Sequence, residues 1–319
     1  MEADMQKTIL ILGATGGVGG ETASALLRHG WAVRGLVRGI RPGLDPAITW
    51  FEGDAMDRAA VLRAAEGVSA VFHAVNPPGY RDWDRLVLPM VENSIAAALA
   101  NDARLVLPGT IYNYDPAVTP VAVPDSPQSA QTRKGRIRVA MERRIQDSGV
   151  AALIVRAGDF FGPKCGNGWL AQGLVKPGQP VAAIQYPGAP GAGHAWAYLP
   201  DLAETFALLL DRDAALPRFA RFHFAGVWDA DGSAFTGAIA RAAGTTPTVK
   251  AMPWALLALI APFNTTMREL REMRPFWQHP LRLDNAALVE FLGSEPHTPL
   301  DDAMRASLAG LGCIAPATA

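Results

Sequence analysis

The chain has 319 residues, half of them apolar and 18% charged, which suits a compact protein with one large folded unit and a smaller one rather than a disordered chain. Its formal charge of −1 supplies no general cationic field, so neither nucleic acid nor a membrane is expected as a partner. Two cysteines, Cys165 and Cys313, stand far apart and in no metal-ligand spacing, which argues against a zinc site or a disulfide framework and fits a reducing, cytoplasmic setting.

The apolar run Ile9 to Leu12 is too short for a signal peptide, and Trp254 to Pro262 is too short to span a bilayer. From the first residues onward, short β-branched runs alternate with longer helical patterns, the signature of a doubly wound α/β fold of Rossmann type. Strands are expected at Thr8–Leu12, Ala32–Val37, Ile48–Phe51, Ala70–Ala74, Arg104–Leu107 and Ala152–Val155. Helices are expected at Val18–His29, Arg58–Ala65, Asp84–Ala100 and Thr132–Asp147. Leu86, Met90, Val91, Ile95 and Leu99 recur at helical spacing, so that helix should pack on the sheet or on a partner subunit. Beyond residue 160, Gly and Pro crowd into the stretch 176–193, and later helical segments are broken by Pro247, Pro253, Pro262 and Pro275. The expected division is a nucleotide-binding unit of residues 1–162 plus about 195–226, and a mostly helical substrate unit of 163–194 plus 227–319.

The segment Gly13-Ala14-Thr15-Gly16-Gly17-Val18-Gly19 follows a strand and opens a helix. In that context Gly13 makes the tight turn, Gly16 lets the backbone approach a pyrophosphate, and Gly19 allows close packing of helix on strand. A dinucleotide is therefore expected on residues 13–19. The second strand ends Val37-Arg38 with no acid to take a ribose 2′-hydroxyl, and Arg38 is suited to a 2′-phosphate; NADP(H) is expected in preference to NAD(H). Asp54 either accepts a hydrogen bond from the adenine amino group or caps the next helix. Ala74, Val75 and Asn76 end the fourth strand and should line the ribose and nicotinamide side.

These motifs, with Arg156-Ala157-Gly158-Asp159-Phe160-Phe161-Gly162-Pro163 and Ala197-Tyr198-Leu199-Pro200-Asp201-Leu202-Ala203, resemble the short-chain dehydrogenase/reductase superfamily in its extended, epimerase/dehydratase-like branch. The resemblance implies a Ser or Thr after the fifth strand, a place that Thr110 fits, and a Tyr-x-x-x-Lys pair on the following long helix. Here Lys134 stands in the tyrosine's place and Arg138 in the lysine's, and that helix carries no tyrosine. Arg138 can hold a ribose but is a poor proton shuttle. The proton donor is then Lys134, if burial lowers its pKa, or a loop tyrosine, Tyr112 or Tyr114; alternatively Lys134 belongs to a solvated basic face and the tyrosines only pack.

Phe160, Phe161, Trp169, Tyr186, His194 and Trp196 fall on segments expected to roof the nicotinamide, an apolar lining suited to a hydrophobic carbonyl compound. Arg268 and Arg271, interleaved with Glu269 and Glu272, read as surface ion pairs. No metal-ligand spacing is present. The expected function is an NADP(H)-dependent oxidoreductase acting on a small, hydrophobic, carbonyl-type substrate. The alternatives are a nucleotide-sugar epimerase or dehydratase and a non-catalytic NADP(H) sensor. The resemblance also implies a homodimer through the helices at 84–100 and 132–147.

Overall fold

The computed structural model describes residues 6–77 and 82–315, with the backbone alone at 265 and 266. The ends of the two-unit division, 1–5 and 316–319, lie outside the described residues.

The first half builds a parallel sheet from β1 (Thr8–Leu12), β2 (Ala32–Val37), β3 (Thr49–Glu52), β4 (Ala70–His73) and β5 (Arg104–Thr110). These strands alternate with α1 (Gly17–Arg28), α2 (Arg58–Ala64) and α3 (Trp83–Ala100). A two-residue strand β6 (Val121–Ala122) precedes α4 (Arg133–Asp147), and β7 (Ala152–Ala157) then returns to the sheet. Every residue of β7 is buried, as in a strand covered on both faces.

The chain next leaves through β8 (Asp159–Phe161), β9 (Ala183–Tyr186) and β10 (His194–Tyr198). It comes back as α5 (Leu199–Asp211), which packs on α1, and as the last sheet strand β11 (Phe219–His223). The remainder is β12 (Val227–Asp229), α6 (Ser233–Ala243), β13 (Thr248–Ala251), α7 (Trp254–Ile260), α8 (Thr265–Glu272), α9 (Pro275–Gln278), β14 (Arg282–Leu283), α10 (Ala286–Leu292) and α11 (Leu300–Gly310).

The large sheet has the order β11-β7-β5-β4-β1-β2-β3, with every pair parallel. The chain moves outward from β1 to β3, then restarts at β4 and moves the other way, so the order reverses between β1 and β4. Ligands of such sheets bind in the crevice at the carboxyl ends of the strands beside that reversal. The expected strands and helices up to residue 157 are all present, with ends differing by a few residues, and β5 runs three residues further, to Thr110.

Two apolar layers flank this sheet. One packs α1 and α5 on it through Leu26, Phe206 and Leu210; the other packs α2, α3 and α4 through Val61, Val91 and Ile145. On α3, Val91 and Ile95 face this layer and Met90 is buried, whereas Leu99 is exposed. A third apolar cluster is separate: Trp169, Trp196, Phe235, Trp277 and Met304 hold together β8, β10, α6, α9 and α11. Each side chain buried there contributes roughly 1.5–3 kcal/mol.

Candidate functional site: a dinucleotide cleft at the sheet's reversal point

The turn from β1 to α1 needs its glycines for stated steric reasons. Gly13 has φ +94°, and a Cβ there would lie 2.8 Å from the Ala74 carbonyl oxygen, so the end of β4 presses directly on the turn. A Cβ on Gly19 would lie 2.2 Å from the Gly13 carbonyl oxygen, so only glycine lets α1 approach β1 this closely. Gly16 is the N-cap and carries no side chain to satisfy the first-turn amides, and no acid stands in that turn. Thr15 and Gly16 are exposed at the tip, Gly17 and Val18 half-buried behind it. Uncapped amides at the positive end of a helix, beside an exposed Gly16, fit a pyrophosphate.

Arg38 lies exposed just beyond β2. Asp54 is not the cap of α2: its Oδ1 accepts from the Met56 amide at 2.9 Å, while Asp57 accepts from the amides of Ala59 and Ala60 and is the N-cap. Ala74 and Val75 are half-buried past β4, and the Asn76 Oδ1 accepts from Arg138 Nη2 at 3.1 Å. The Arg138 guanidinium also lies 5.2 Å from the centre of the Trp83 ring. Arg138 of α4 and the end of β4 therefore meet on one wall of the cleft. Beneath them His73 is buried, its Nδ1 2.7 Å from Ser94 Oγ. Burial, and then the charge of Arg138, pull its pKa down to about 3.

Thr110 ends β5, and its Oγ1 accepts from the Tyr112 amide, capping a single 3-10 turn at Ile111–Asn113. This turn aims Tyr112 away from the sheet. The half-buried Tyr112 hydroxyl donates to Asp159 Oδ1 at 2.8 Å. Asp159 Oδ2 meets His194 Nε2 at 2.9 Å, and His194 Nδ1 faces the Phe276 carbonyl oxygen at 3.3 Å. The His194 ring is stacked on Trp277 at 3.6 Å, which fixes its plane. Tyr112, Asp159 and His194 thus form a hydrogen-bonded chain from the end of β5 into the third apolar cluster. Asp159 had no role assigned from sequence; an acid inside a strand otherwise made of buried apolar residues was the available signal.

Lys134 is fully buried, its Nζ 3.0 Å from Glu269 Oε2 and 3.7 Å from Glu272 Oε2, and donating to the Glu269 carbonyl oxygen at 2.8 Å. Glu269 also accepts from Arg133 at 3.0 Å, and the Glu272 carboxylate accepts from the Lys134 amide. Desolvation lowers the Lys134 pKa despite these carboxylates. The solvated basic face expected for this helix holds for Arg136, Arg143 and Arg144 but not for Lys134. Of the ion pairs expected within this segment, Arg268 lies 3.8 Å from Glu269, while Glu269 and Glu272 together also clasp α8 onto the start of α4. Gly135, next to Lys134, lets the start of α4 press on the turn after β5, because a Cβ there would lie 2.2 Å from the Tyr112 carbonyl oxygen.

Tyr114 turns the other way. Fully buried, its hydroxyl lies 2.8 Å from His223 Nε2 and accepts from Arg156 at 2.7 Å. Burial, moderated by Arg156, raises its pKa to about 12. Arg156 also pairs with Glu142 at 2.6 Å, and Asn113 and Gln128 donate to the same carboxylate. This closed network braces α4 against β7, and the structure does not bring Tyr114 to the cleft.

The aromatic residues expected to roof a substrate are part of the packed interior. Phe161 and Trp196 have no exposure; Trp169 and Tyr186 are also buried, and Trp196 stacks on Phe235 at 3.8 Å. Phe160 alone is half-buried, against the first layer. Of this set, His194 reaches the cleft, through Asp159 and Tyr112. Among the described residues no cluster of His, Cys, Asp and Glu forms a metal site.

A family model described as NAD(P)H-binding matches residues 13–172, from the glycine turn to just beyond β8, and the chain belongs to that family. Among curated relatives, it is 29% identical over 185 residues to a 3-diazoavenalumate denitrifying reductase of a Streptomyces species, a match covering 52% of this chain and 59% of the relative. It is 35% identical over 77 residues to the decarboxylating sterol-4-alpha-carboxylate 3-dehydrogenase of Bos taurus, covering 24% of this chain and 21% of the relative. The matches therefore span less than two thirds of these relatives' lengths. Among solved structures, the fold is shared with the Bordetella bronchiseptica enzyme WbmH in complex with NAD+, at TM-score 0.71 and 20% identity over 96% of this chain and 98% of that one. It is shared equally with the Bifidobacterium longum UDP-glucose 4-epimerase in complex with NAD+ and UDP, at TM-score 0.74 and 16% identity, covering 97% and 100%. The fold is thus one shared with these two NAD+-bound enzymes.

Proposed function

We propose that this protein is an NADP(H)-dependent oxidoreductase that reduces a small, hydrophobic, carbonyl-type compound, with Tyr112 as proton donor. The observation that carries the reading is the Tyr112–Asp159–His194 chain beside Thr110. The glycine turn and the end of β4 would hold the dinucleotide, with Arg138 and Asn76 at its ribose side and Arg38 pairing with a 2′-phosphate. Bound there, NADPH supplies a hydride. The protein's own part is to position the acceptor and to move one proton. Thr110 polarises the substrate oxygen. Tyr112 donates its hydroxyl proton to that oxygen, and one proton taken up from solvent and passed through His194 and Asp159 restores the phenol, so the cycle consumes one proton and strands no charge.

Two further observations support reduction over sugar epimerisation. Lys134, in the place where the family's tyrosine is implied, is consumed by Glu269 and Glu272, which leaves no base on α4 for a sugar hydroxyl. The curated relatives named above carry oxidoreductase names, whereas likeness to the epimerases is one of fold. The burial of Lys134 also favours a second reading, a protein that binds NADP(H) as a sensor and turns nothing over.

The test has two parts. Tryptophan quenching compares NADPH with NADH, and NADPH consumption is followed with aromatic ketones, enones, imines and an aryl diazo acid. The oxidoreductase reading expects tighter NADPH binding and turnover of at least one class. Binding without any turnover would move the assignment to a sensor, and tighter NADH binding would remove the role given to Arg38.

A further inference from the structure

The segment from Ala251 to Met267 contains no charged residue, and α7 occupies its middle. Among α7's residues only Leu257 is buried; Leu256 is 52% and Leu259 73% exposed, Ile260 is exposed too, and Phe263 in the turn that follows is 92% exposed. Single exposed apolar residues are ordinary on a protein surface, but four within eight positions make a patch that calls for a partner.

The charges on the adjoining α8 are sorted by face. Glu269 is buried and Glu272 half-buried, and both point inward to Lys134. Arg268 and Arg271 are exposed, as is Arg274 one turn beyond, whose guanidinium lies 5.8 Å from the centre of the Trp254 ring at the start of α7. Glu269 Oε1 also lies 3.8 Å from Arg268 Nε, but Arg271 and Arg274 are exposed beside the apolar patch and give its border a cationic character, although the whole chain carries a formal charge of −1. Exposed apolar side chains beside arginines form the composition of a segment that lies in a bilayer interface, with Trp254 packed inward at its base on Trp169. A second protein chain would have to cover the patch and also supply several carboxylates at its rim; an anionic lipid surface offers both components at once.

We propose that α7 and the arginine row of α8 dock this protein on an anionic membrane surface, with Leu256, Leu259 and Phe263 among the acyl chains and Arg268, Arg271 and Arg274 at the phosphate groups. The contact is peripheral, since among the described residues no helix is long and apolar enough to cross a membrane. α8 also clasps the start of α4 at the edge of the dinucleotide cleft, so docking would bring that edge close to the lipid, where apolar compounds concentrate. The docking surface stands apart from the reaction proposed above and is tested without an activity readout.

The test is co-sedimentation of the full chain with vesicles of phosphatidylcholine, with and without phosphatidylglycerol. Wild type is expected to pellet with the anionic vesicles and much less with the neutral ones, and added salt should release part of it. Leu259→Asp with Phe263→Asp should weaken partitioning by about tenfold or more. Arg268→Gln with Arg271→Gln should abolish the preference for phosphatidylglycerol. Phe263→Asp alone, at the most exposed position of the patch, gives a second variant, and NADPH quenching with the melting temperature checks that each variant is folded. The proposal is overturned if wild type stays in the supernatant with both vesicles or if the aspartate variants pellet as wild type does. It is also overturned if wild type elutes as a dimer that the aspartate variants convert to monomer, because the patch is then an interface between copies.

Discussion

The Tyr112 hydroxyl and the Asp159 carboxylate lie 2.8 Å apart although 47 residues separate them in sequence. The contact joins the turn after β5 to the first strand of the third apolar cluster, and His194 completes it from β10. A phenol in this position has a partner through which to recover a proton. That gives Tyr112 a chemical role which Tyr114, sealed against Arg156, lacks.

In the proposed reaction Asp159 would act through Tyr112, as a positioning residue and proton relay. Replacing Asp159 with Asn keeps its shape but removes the negative charge and leaves one acceptor oxygen where Tyr112 and His194 each use one. The expected result is a fall in kcat of roughly tenfold to a hundredfold with little change in KM. The pH dependence of kcat should shift as well, and His194→Gln should shift it likewise. A purely structural role would instead lower the melting temperature and leave the pH profile in place.

Lys134 and Glu269 are buried partners, so removing one leaves the other charge uncompensated. Lys134→Ala is expected to cost about 3–5 kcal/mol of stability in urea unfolding. Lys134→Met combined with Glu269→Gln should recover part of that loss, because the stranded carboxylate is gone. Arg133 keeps a hydrogen-bonding partner in the new amide.

Arg38 is exposed beyond β2 and is the residue to which the 2′-phosphate preference is assigned. Arg38→Asp should weaken NADPH binding by about tenfold or more while leaving NADH binding equal or improved, since a carboxylate suits a free 2′-hydroxyl. Equal losses for both cofactors would mean that Arg38 does not distinguish them.

His73 and His223 are buried, and desolvation followed by a neighbouring arginine holds each near pKa 3 in the folded protein. The ordinary value is about 6.5 once the chain unfolds. Both bind a proton more readily in the unfolded state, so the folded state keeps its full advantage above about pH 6.5 and loses it as pH falls toward 3. Each contributes a slope of about 1.4 kcal/mol per pH unit across that window. Urea unfolding between pH 7 and pH 4.5 should therefore show stability falling with acid, and His73→Gln should remove about one proton from the slope.

Much of this was legible in sequence because the reasons were local. The glycine turn is read from a few adjacent positions, and the backbone shows the same demands: φ +94° at Gly13, and no room for a Cβ at Gly19. Parallel strands announce themselves as continuous apolar runs, and β7 is one of them. Lys134 was not legible in the same way, because its carboxylates arrive from 135 and 138 residues downstream. The aromatic set at 160–196 was legible as apolar but not as interior, since a pocket lining and a core demand the same residue types. Asp54 and Asp57 show the limit at short range: both follow β3, and only the helix start decides which of them caps.

The most direct test of the central claim is NADPH oxidation by wild type, Tyr112→Phe and Lys134→Met, measured side by side at saturating NADPH with whichever acceptor wild type turns over. If Tyr112 is the proton donor, Tyr112→Phe should lose about a hundredfold in kcat with cofactor binding unchanged. Lys134→Met, compared at a temperature where it stays folded, should keep its rate within a few-fold. Full activity in Tyr112→Phe together with an inactive but folded Lys134→Met would contradict the account and place the chemistry on α4.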